Sequence, residues 1–347
     1  MIEENVLKEF NNKNLLVTGG TGLIGRQVVD ILCNNNSNVN IVSLDKIRFN
    51  EYSKYNVNYI YGDLTDFNFC KEMTKNMEYV FHIAGIKGSI DVTKSKPASF
   101  FVPLLQMNTN ILEACRINNV KKIVYTSSIG AYSSAEVFKE TKKFHLEGSP
   151  MDMHPGWAKR MAEMQIQAYK IQYNLDNFAI VRPCNVYGPG DNFDPNNAMV
   201  IPSLMYKILQ YQNSVKNDIP TKPIQIWGDG SAIRDFAYSK DVAEGIILAL
   251  HYGTSDSPTG FVNLGSGIGY TIEELVESLY SFLDFRWEFD LTKSSGFKKR
   301  IMDITLAKKL INYNPTTSLD EGLMETWYWF KENQNEYLKK KNYFSEE

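Results

Sequence analysis

Cysteine and histidine are scarce in this chain of 347 residues, which contains four of each. The cysteines stand far apart and form no CxxC pair, which argues against a disulfide framework or a zinc site. The histidines likewise show no metal-ligand spacing. We therefore expect no metal ion and a reducing, cytosolic environment.

Long apolar runs and an excess of one charge are also missing. The opening segment, MIEENVLKEFNNKN, is polar and acidic and lacks signal-peptide character, and no later stretch is apolar enough to span a bilayer. The net charge is −3, with both signs spread along the chain, which argues against nucleic acid or a membrane surface as a partner. These absences favour a cytoplasmic protein that acts on a small molecule.

Between Asn14 and about Ile180, short β-rich segments alternate with helical patterns; the segments read NLLVTG, NIVSLD, YVFHIAG, KIVYTSS and FAIVRP. This alternation predicts an α/β fold with a doubly wound parallel sheet of the Rossmann type. After about Tyr187 the pattern loosens, which predicts a smaller lobe over the carboxyl edge of the sheet, where such folds bind ligands. We place the first domain at residues 1–185 and the lobe at 186–347, with some lobe segments returning to the first domain.

The segment LLVTGGTGLIG places Gly19, Gly22 and Gly25 between an apolar strand and a helix, with Leu23 and Ile24 between the last two glycines. Glycine permits the tight turn and the close approach of backbone amides to a pyrophosphate. The start of the helix adds unpaired N–H groups and the positive end of its dipole. The segment therefore predicts a dinucleotide site in the first domain.

Asp45 ends the second strand segment, about 20 residues after Gly25. A carboxylate at this interval can accept hydrogen bonds from the adenosine ribose, so we expect NAD rather than NADP. Lys46 and Arg48 keep NADP open, because either could pair with a 2′-phosphate.

Further motifs follow, with YGDLTD at 61–66, VFHIAG at 80–85 and YTSSIGAY at 125–132. With the glycine spacing they resemble the extended short-chain dehydrogenase/reductase family, in its NAD-dependent epimerase/dehydratase branch, which modifies nucleotide-linked sugars. The resemblance implies that Asp63 and Leu64 meet the adenine, while Ala84 and Gly85 lie along the phosphoribosyl part of the cofactor. Taken alone, Asp63 could instead cap a turn.

The resemblance also implies catalytic positions. Ser128, or its neighbour Ser127, would hydrogen-bond the reacting sugar oxygen, and Lys159 would bind the nicotinamide ribose. Four residues before that lysine the family has a tyrosine, and this chain has Pro155 in MDMHPGWAKRMAE. Proline suits the first turn of a helix but has no ionisable group. We expect His154, or a water relayed through Ser128, to take the proton.

The helix that carries Lys159 has an apolar repeat. Its members recur at steps of four and three and are Trp157, Met161, Met164, Ala168 and Ile171. Such a repeat predicts a buried stripe, with Lys159 projecting from the other side toward the cleft or solvent.

Residues 182–208, RPCNVYGPGDNFDPNNAMVIPSLMYKI, are similar to the nucleotide region of enzymes that act on GDP-linked sugars. The similarity implies that Asn185 contacts the phosphates and that the helix start at Val200 lies near the nucleotide. Arg234 and Arg300 match family arginines that grip the diphosphate, a role suited to the guanidinium fork. Trp227 would be a wall of the base pocket or part of the core.

At three positions this chain differs from other members of the branch, and these differences argue against two of the branch's reactions. Gly130 and Met199 replace the cysteine and histidine of its double epimerases, and Ile129 with Gly130 replaces the Asp-Glu pair of its 4,6-dehydratases. We therefore expect hydride transfer at sugar C4 on a GDP-hexose or GDP-heptose, for a surface polysaccharide. The alternatives are a weak or inactive NAD(H)- or sugar-nucleotide-binding protein and a 4,6-dehydratase. We also expect a homodimer or higher homo-oligomer.

Overall fold

The elements below come from a computed structural model that describes residues 2–34, 37–44, 57–86, 88, 90–141 and 148–337. In chain order the strands are β1 (Asn14–Thr18), β2 (Asn38–Ser43), β3 (Val57–Tyr61), β4 (Tyr79–His82), β5 (Lys122–Thr126), β6 (Val137–Phe138), β7 (Phe178–Pro183), β8 (Asn185–Tyr187), β9 (Ile224–Trp227), β10 (Ile233–Arg234), β11 (Phe236–Tyr238), β12 (Phe261–Leu264), β13 (Tyr270–Thr271), β14 (Trp287–Asp290) and β15 (Lys299–Met302).

The helices are α1 (Glu4–Lys8), α2 (Leu23–Cys33), α3 (Phe67–Met73), α4 (Ile90–Ser95), α5 (Pro97–Ile117), α6 (Met153–Tyr173), α7 (Val200–Lys216), α8 (Ser239–Tyr252), α9 (Ile272–Tyr280), α10 (Thr305–Ile311) and α11 (Leu319–Tyr337). A short 3₁₀ turn spans Ile129–Ala131. Among these helices, none is both long enough and apolar enough to cross a membrane.

Seven parallel strands form the central sheet in the order β12-β7-β5-β4-β1-β2-β3. The chain runs outward from β1 to β2 in one direction and from β4 to β5 in the other, so right-handed crossovers put their helices on opposite faces. Accordingly, α2 packs with α8, whereas α5 packs with α3 and α6. This arrangement confirms the predicted doubly wound fold, and its switch point lies between β1 and β4.

Two hydrophobic cores accompany the sheet. The first surrounds the seven strands and includes residues of α8, β12 and α10, so the chain returns to the sheet after residue 238. The second joins α7, β9, α9 and α11. A separate four-stranded sheet has the order β13-β10-β15-β6. It contains Arg234 on β10 and Arg300 on β15. Our domain boundary at residue 185 stays a prediction.

The predicted buried stripe on α6 is wrong. Met161, Met164 and Ile171 are 47%, 52% and 79% exposed. The face that packs inward instead includes Ala158, Ala162, Ile166 and Tyr169. The buried face is therefore offset around the helix from the apolar repeat, so Met161, Met164 and Ile171 are left on the outside.

An ion pair between Glu163 on α6 and Arg182 on β7 lies inside the first core. Arg182 Nη2 is 2.6 Å from Glu163 Oε2, and the guanidinium carbon lies 4.2 Å and 3.8 Å from the ring centroids of Tyr132 and Phe261. Burial lowers the pKa of Arg182, but Glu163 outweighs that effect and the net pKa is raised. Loss of one partner from such a pair costs about 3–5 kcal/mol, so the pair fixes α6 on the sheet.

Candidate active site

The glycine turn after β1 is too tight for any other residue at its third glycine. A Cβ on Gly25 would lie 2.2 Å from the carbonyl oxygen of Gly19, which itself has a φ of 69°. Gly22 donates its N–H to the same oxygen at 2.9 Å and stands at the N-cap of α2. Leu23 and Ile24 form the first turn of that helix. The backbone therefore offers the open cradle that a pyrophosphate requires.

A buried network holds the next loop against this cradle. The Thr18 hydroxyl is 2.8 Å from His82 Nδ1 and accepts the N–H groups of Ile83 and Ala84 at 3.2 and 3.3 Å. His82 Nε2 lies 2.9 Å from Asn108 Oδ1. Burial, with the nearby Lys159 charge, lowers the pKa of His82 to about 3. The ring is therefore neutral, and it donates to Asn108 while accepting from Thr18.

The loop so held carries two predicted cofactor residues. A Cβ on Gly19 would lie 2.8 Å from the Ala84 Cα, so the first and fourth strand ends touch at the switch point. Gly85 is exposed beside Lys159, whose Nζ would be 3.6 Å from a Cβ placed there. Ala84 therefore contacts the glycine turn and Gly85 lies beside Lys159, and their role along the phosphoribosyl part stays a prediction.

At the predicted adenine end, Asp63 is exposed and caps a turn, with its Oδ1 accepting the Thr65 N–H at 2.8 Å. Leu64 is buried, and its carbonyl oxygen accepts from Asn110 on α5 at 3.1 Å. The structure thus shows the capping contact of Asp63, and the adenine role stays a prediction. Asp45, together with Lys46 and Arg48, lies outside the described residues.

Ser128 and Lys159 flank the end of β5. Ser128 is partly buried, and its Oγ accepts the Gly130 N–H at 3.0 Å, which leaves the hydroxyl proton for another acceptor. Lys159 Nζ donates to the Thr126 carbonyl oxygen at 2.7 Å. Burial lowers the pKa of Lys159 to about 8, partly offset by Glu163. The ammonium is therefore mostly charged at neutral pH.

Ser127 does not point into the site. Its side chain is buried, and Oγ donates to Glu163 Oε1 at 2.5 Å, beneath the ion pair with Arg182. We therefore correct the expectation that Ser127 could replace Ser128 at the substrate. Its place is in the network that anchors α6.

Pro155 is the third residue of α6, in the first turn, where a missing N–H costs no helical hydrogen bond. His154 is exposed, and its ring packs edge-on against Phe101 of α5 at a centroid distance of 6.0 Å. This imidazole therefore contacts the neighbouring helix α5. Its proposed role in proton transfer stays a prediction.

Sequence reasoning missed Asp152, the residue just before α6. A Cβ on Gly130 would lie 2.4 Å from Asp152 Oδ2, so this carboxylate fills the space of the side chain that Gly130 lacks. Asp152 Oδ1 is 3.9 Å from Arg300 Nη2. Burial raises the pKa of Asp152, although Arg300 acts in the opposite direction. The acid in MDMHPG, three residues before the proline, was the available sequence signal.

The two predicted diphosphate arginines are direct neighbours on parallel strands, with Arg234 of β10 opposite Arg300 of β15. Arg234 donates to the carbonyl oxygens of Ser295 and Phe297. Burial, together with the charge of Arg300, lowers the pKa of Arg234 to about 10. Arg300 lies over the Phe297 ring, and its buried Nε has no hydrogen-bond partner among the described residues. Two adjacent, partly desolvated cations favour a ligand of high negative charge.

The other predicted substrate residues are Asn185, Val200 and Trp227. Asn185 donates to the Asp235 carbonyl oxygen at 3.2 Å, and Val200 is the partly buried first residue of α7. Trp227 is 53% exposed, which excludes a core role, and Lys293 Nζ lies 5.7 Å from the centroid of its ring. Their contacts with a nucleotide stay predictions.

Comparison with known proteins assigns a family to this geometry. The model of the NAD dependent epimerase/dehydratase family matches residues 15–265. A probable GDP-L-fucose synthase from Oryza sativa is 31% identical over 262 residues, covering 74% of this chain and 76% of its own. A putative UDP-glucose 4-epimerase from Methanocaldococcus jannaschii is 30% identical over 329 residues, covering 92% and 99%.

A solved structure shows the same architecture. The UDP-glucose 4-epimerase of Thermotoga maritima, determined with UDP-glucose, superposes with a TM-score of 0.75 at 26% identity. The match covers 92% of this chain and 99% of the epimerase. Similarity therefore extends through both the sheet and the second core.

We predict that Gly25→Ala weakens dinucleotide binding by about 10–100-fold, because crowding of this kind costs about 1–3 kcal/mol. The clash with Gly19 would push the turn out of its cradle shape. Calorimetry with NAD⁺ measures the change, and an unaltered far-UV circular dichroism spectrum serves as the folding control. Wild-type NAD⁺ affinity in the variant would show that the turn is not the pyrophosphate site.

Proposed function

Because this chain belongs to the NAD-dependent epimerase/dehydratase family, we propose that it performs hydride transfer at C4 of a nucleotide-linked sugar. The residues present fit the family's cofactor, NAD: Gly19, Gly22 and Gly25 would hold its pyrophosphate, and Lys159 its nicotinamide ribose. When bound, NAD supplies the hydride acceptor or donor. The chain's own residues bind the sugar nucleotide and orient the reacting hydroxyl.

One observation carries this proposal: Asp152 connects the arginine pair to the turn after β5. Arg300 reaches Asp152, and Asp152 packs on the turn that begins at Ser128. A diphosphate held by Arg234 and Arg300 would therefore extend its sugar toward Ser128. There the Ser128 hydroxyl would hydrogen-bond the sugar oxygen, and the Lys159 charge would favour alkoxide formation.

We propose that the substrate is a GDP-linked hexose or heptose. The reaction would take place in the cytosol and would supply a sugar for a surface polysaccharide. The similarity of residues 182–208 to GDP-sugar enzymes supports guanine as the base of the nucleotide. The relative named as a probable GDP-L-fucose synthase supports the same choice. The relative named as a UDP-glucose 4-epimerase supports chemistry confined to C4, and makes UDP-sugars the necessary comparison. The unpaired thiols of the four cysteines suit a reducing compartment.

We expect NAD⁺ or NADH to be converted when the protein meets its nucleotide sugar, with no carbon-bound deuterium gained in deuterated water and no loss of water. The reason is that Ile129, Gly130 and Met199 cannot move protons at carbon. Absorbance of the reduced nicotinamide and mass spectrometry of GDP- and UDP-linked hexoses provide the test.

Ser128→Ala should slow this conversion by about 10²-fold or more, because it removes the donor to the sugar oxygen. The matched control is Ser281→Ala, at an exposed position after α9. A product lighter by one water would identify a 4,6-dehydratase. Tight binding without conversion of any nucleotide sugar would support the binding-protein alternative.

The cofactor prediction concerns the adenosine ribose. Asp45 would accept the ribose hydroxyls and repel a 2′-phosphate, so NAD(H) should bind about tenfold or more tightly than NADP(H). Calorimetry with both dinucleotides measures the ratio, and Asp45→Asn should reduce it. Equal affinity in the wild type would transfer the role to Lys46 or Arg48.

We further propose a homodimer through the outer face of α6. A helix facing water normally carries polar residues, whereas Met161, Met164 and Ile171 are exposed on this one. A second copy with the same face would bury all of them. Light scattering should show a dimer, and Met164→Asp should shift it toward monomer, with Glu332→Asp as the surface control. A monomeric wild type would contradict the proposal.

A further inference from the structure

Asp152 stands at the N-cap of α6 without acting as a cap. An aspartate there normally accepts the N–H of the second or third helical residue, and this one makes no such hydrogen bond. Among the described residues, the carboxylate accepts no hydrogen bond at all, and its nearest cation, Arg300, is 3.9 Å away. Helix capping therefore does not explain its position.

The position is set by close packing against the turn after β5. A Cβ on Gly156 would lie 2.4 Å from the Gly130 carbonyl oxygen, and the Asp152 N–H donates to that same oxygen at 3.3 Å. These contacts press the start of α6 onto Gly130. They bring the Asp152 carboxylate into the volume where any other residue at 130 would place its side chain.

Gly130 also connects this carboxylate to Ser128. The Gly130 N–H donates to Ser128 Oγ at 3.0 Å. Asp152 Oδ2 lies 2.4 Å from the point that a Cβ on Gly130 would occupy. Ordinary backbone dimensions then limit the Oγ to Oδ2 distance to at most about 8 Å. A sugar hydroxyl between them, or one with a single water, can contact both groups.

We propose that Asp152 is the catalytic acid/base for the sugar hydroxyl, supplying the proton transfer that Pro155 cannot. This inference rests on the proposed function. In the oxidative direction, the C4–H and O–H bonds of the substrate break and a C4=O bond forms. The hydride passes to NAD⁺ and the hydroxyl proton to the Asp152 carboxylate. In reduction, the same proton returns to the oxygen.

The surroundings suit a carboxylate that must exchange a proton. The Asp152 side chain is 44% exposed, so a ligand can reach it. Burial raises its pKa, and Arg300 on β15 lowers it, with a net rise. Arg234 lies beside Arg300, and the other ionisable groups of α6 up to residue 160 are His154, Lys159 and Arg160. Oxidation should therefore fall as the pH drops through a pKa above the ordinary aspartate range, because a protonated carboxyl accepts no proton.

The first test compares Asp152→Asn with the wild type in single-turnover oxidation of the nucleotide sugar found active above. The amide keeps the shape but cannot take a proton, so the rate should fall by about 10²–10⁴-fold and the acidic limb of the pH profile should disappear. GDP should bind at least as tightly as it does to the wild type, because the variant removes a negative charge beside Arg300. The matched control is Asp218→Asn, an exposed aspartate beyond α7 whose φ of 55° asparagine tolerates.

His154→Asn separates the two candidate proton acceptors. Loss of the acidic limb in this variant, with Asp152→Asn unaffected, would overturn the inference. It would also be overturned by carbon-bound deuterium that appears only when Asp152 is present, because the carboxylate would then act on a C–H bond.

A second measurement does not depend on turnover. In protein with ¹³C-labelled aspartate, the Asp152 carboxyl signal is the one lost in Asp152→Asn. With NADH bound, its titration should shift when GDP-mannose is added, beyond any shift caused by GDP alone, because only the sugar reaches it. A wild type that transfers no hydride would defeat the proposed function, whereas an identical response to GDP and GDP-mannose would defeat the assignment of Asp152.

Discussion

The close contact between the start of α6 and the turn after β5 sets the geometry of the whole site. It is possible only because residues 130 and 156 are both glycine: a Cβ on Gly156 would lie 2.4 Å from the Gly130 carbonyl oxygen. One turn further along, the same helix brings Lys159 to the Thr126 carbonyl oxygen. Ser128 lies between these contacts, so Ser128, Asp152 and Lys159 keep fixed relative positions without direct bonds to one another.

Two buried networks keep that contact in place from beneath. Glu163 and Arg182 fasten α6 to β7, and they do so where an unpaired charge would cost several kcal/mol. On the other side of the site, Thr18 and neutral His82 hold the loop after β4 against the glycine turn. Both networks are made by buried side chains.

The sequence predicted the parts of this arrangement that depend on local pattern. Strand alternation predicted the parallel sheet, and Gly25 predicted a turn too tight for a side chain. The prediction that the stripe from Met161 to Ile171 is buried was wrong. A helical repeat shows that one face is apolar but does not show which surface covers it. Nor could any local rule reveal that Asp152 fills the space beside Gly130, since that contact depends on how two distant segments pack.

The charge of Arg300, which stands beside Arg234, lies close enough to Asp152 to influence its pKa. Arg234 and Arg300 are held side by side against mutual repulsion, and the pKa of Arg234 is lowered to about 10 by burial and by its neighbour. Arg300 in turn opposes the rise in the pKa of Asp152 that burial causes. A diphosphate bound to both arginines would offset their charge, and the carboxylate would feel less of it. Asp152 would then become a stronger proton acceptor at the moment when a sugar occupies the cleft. Under the proposal, substrate binding would itself increase the basicity of the carboxylate that takes the hydroxyl proton, so the site would need no tyrosine on α6.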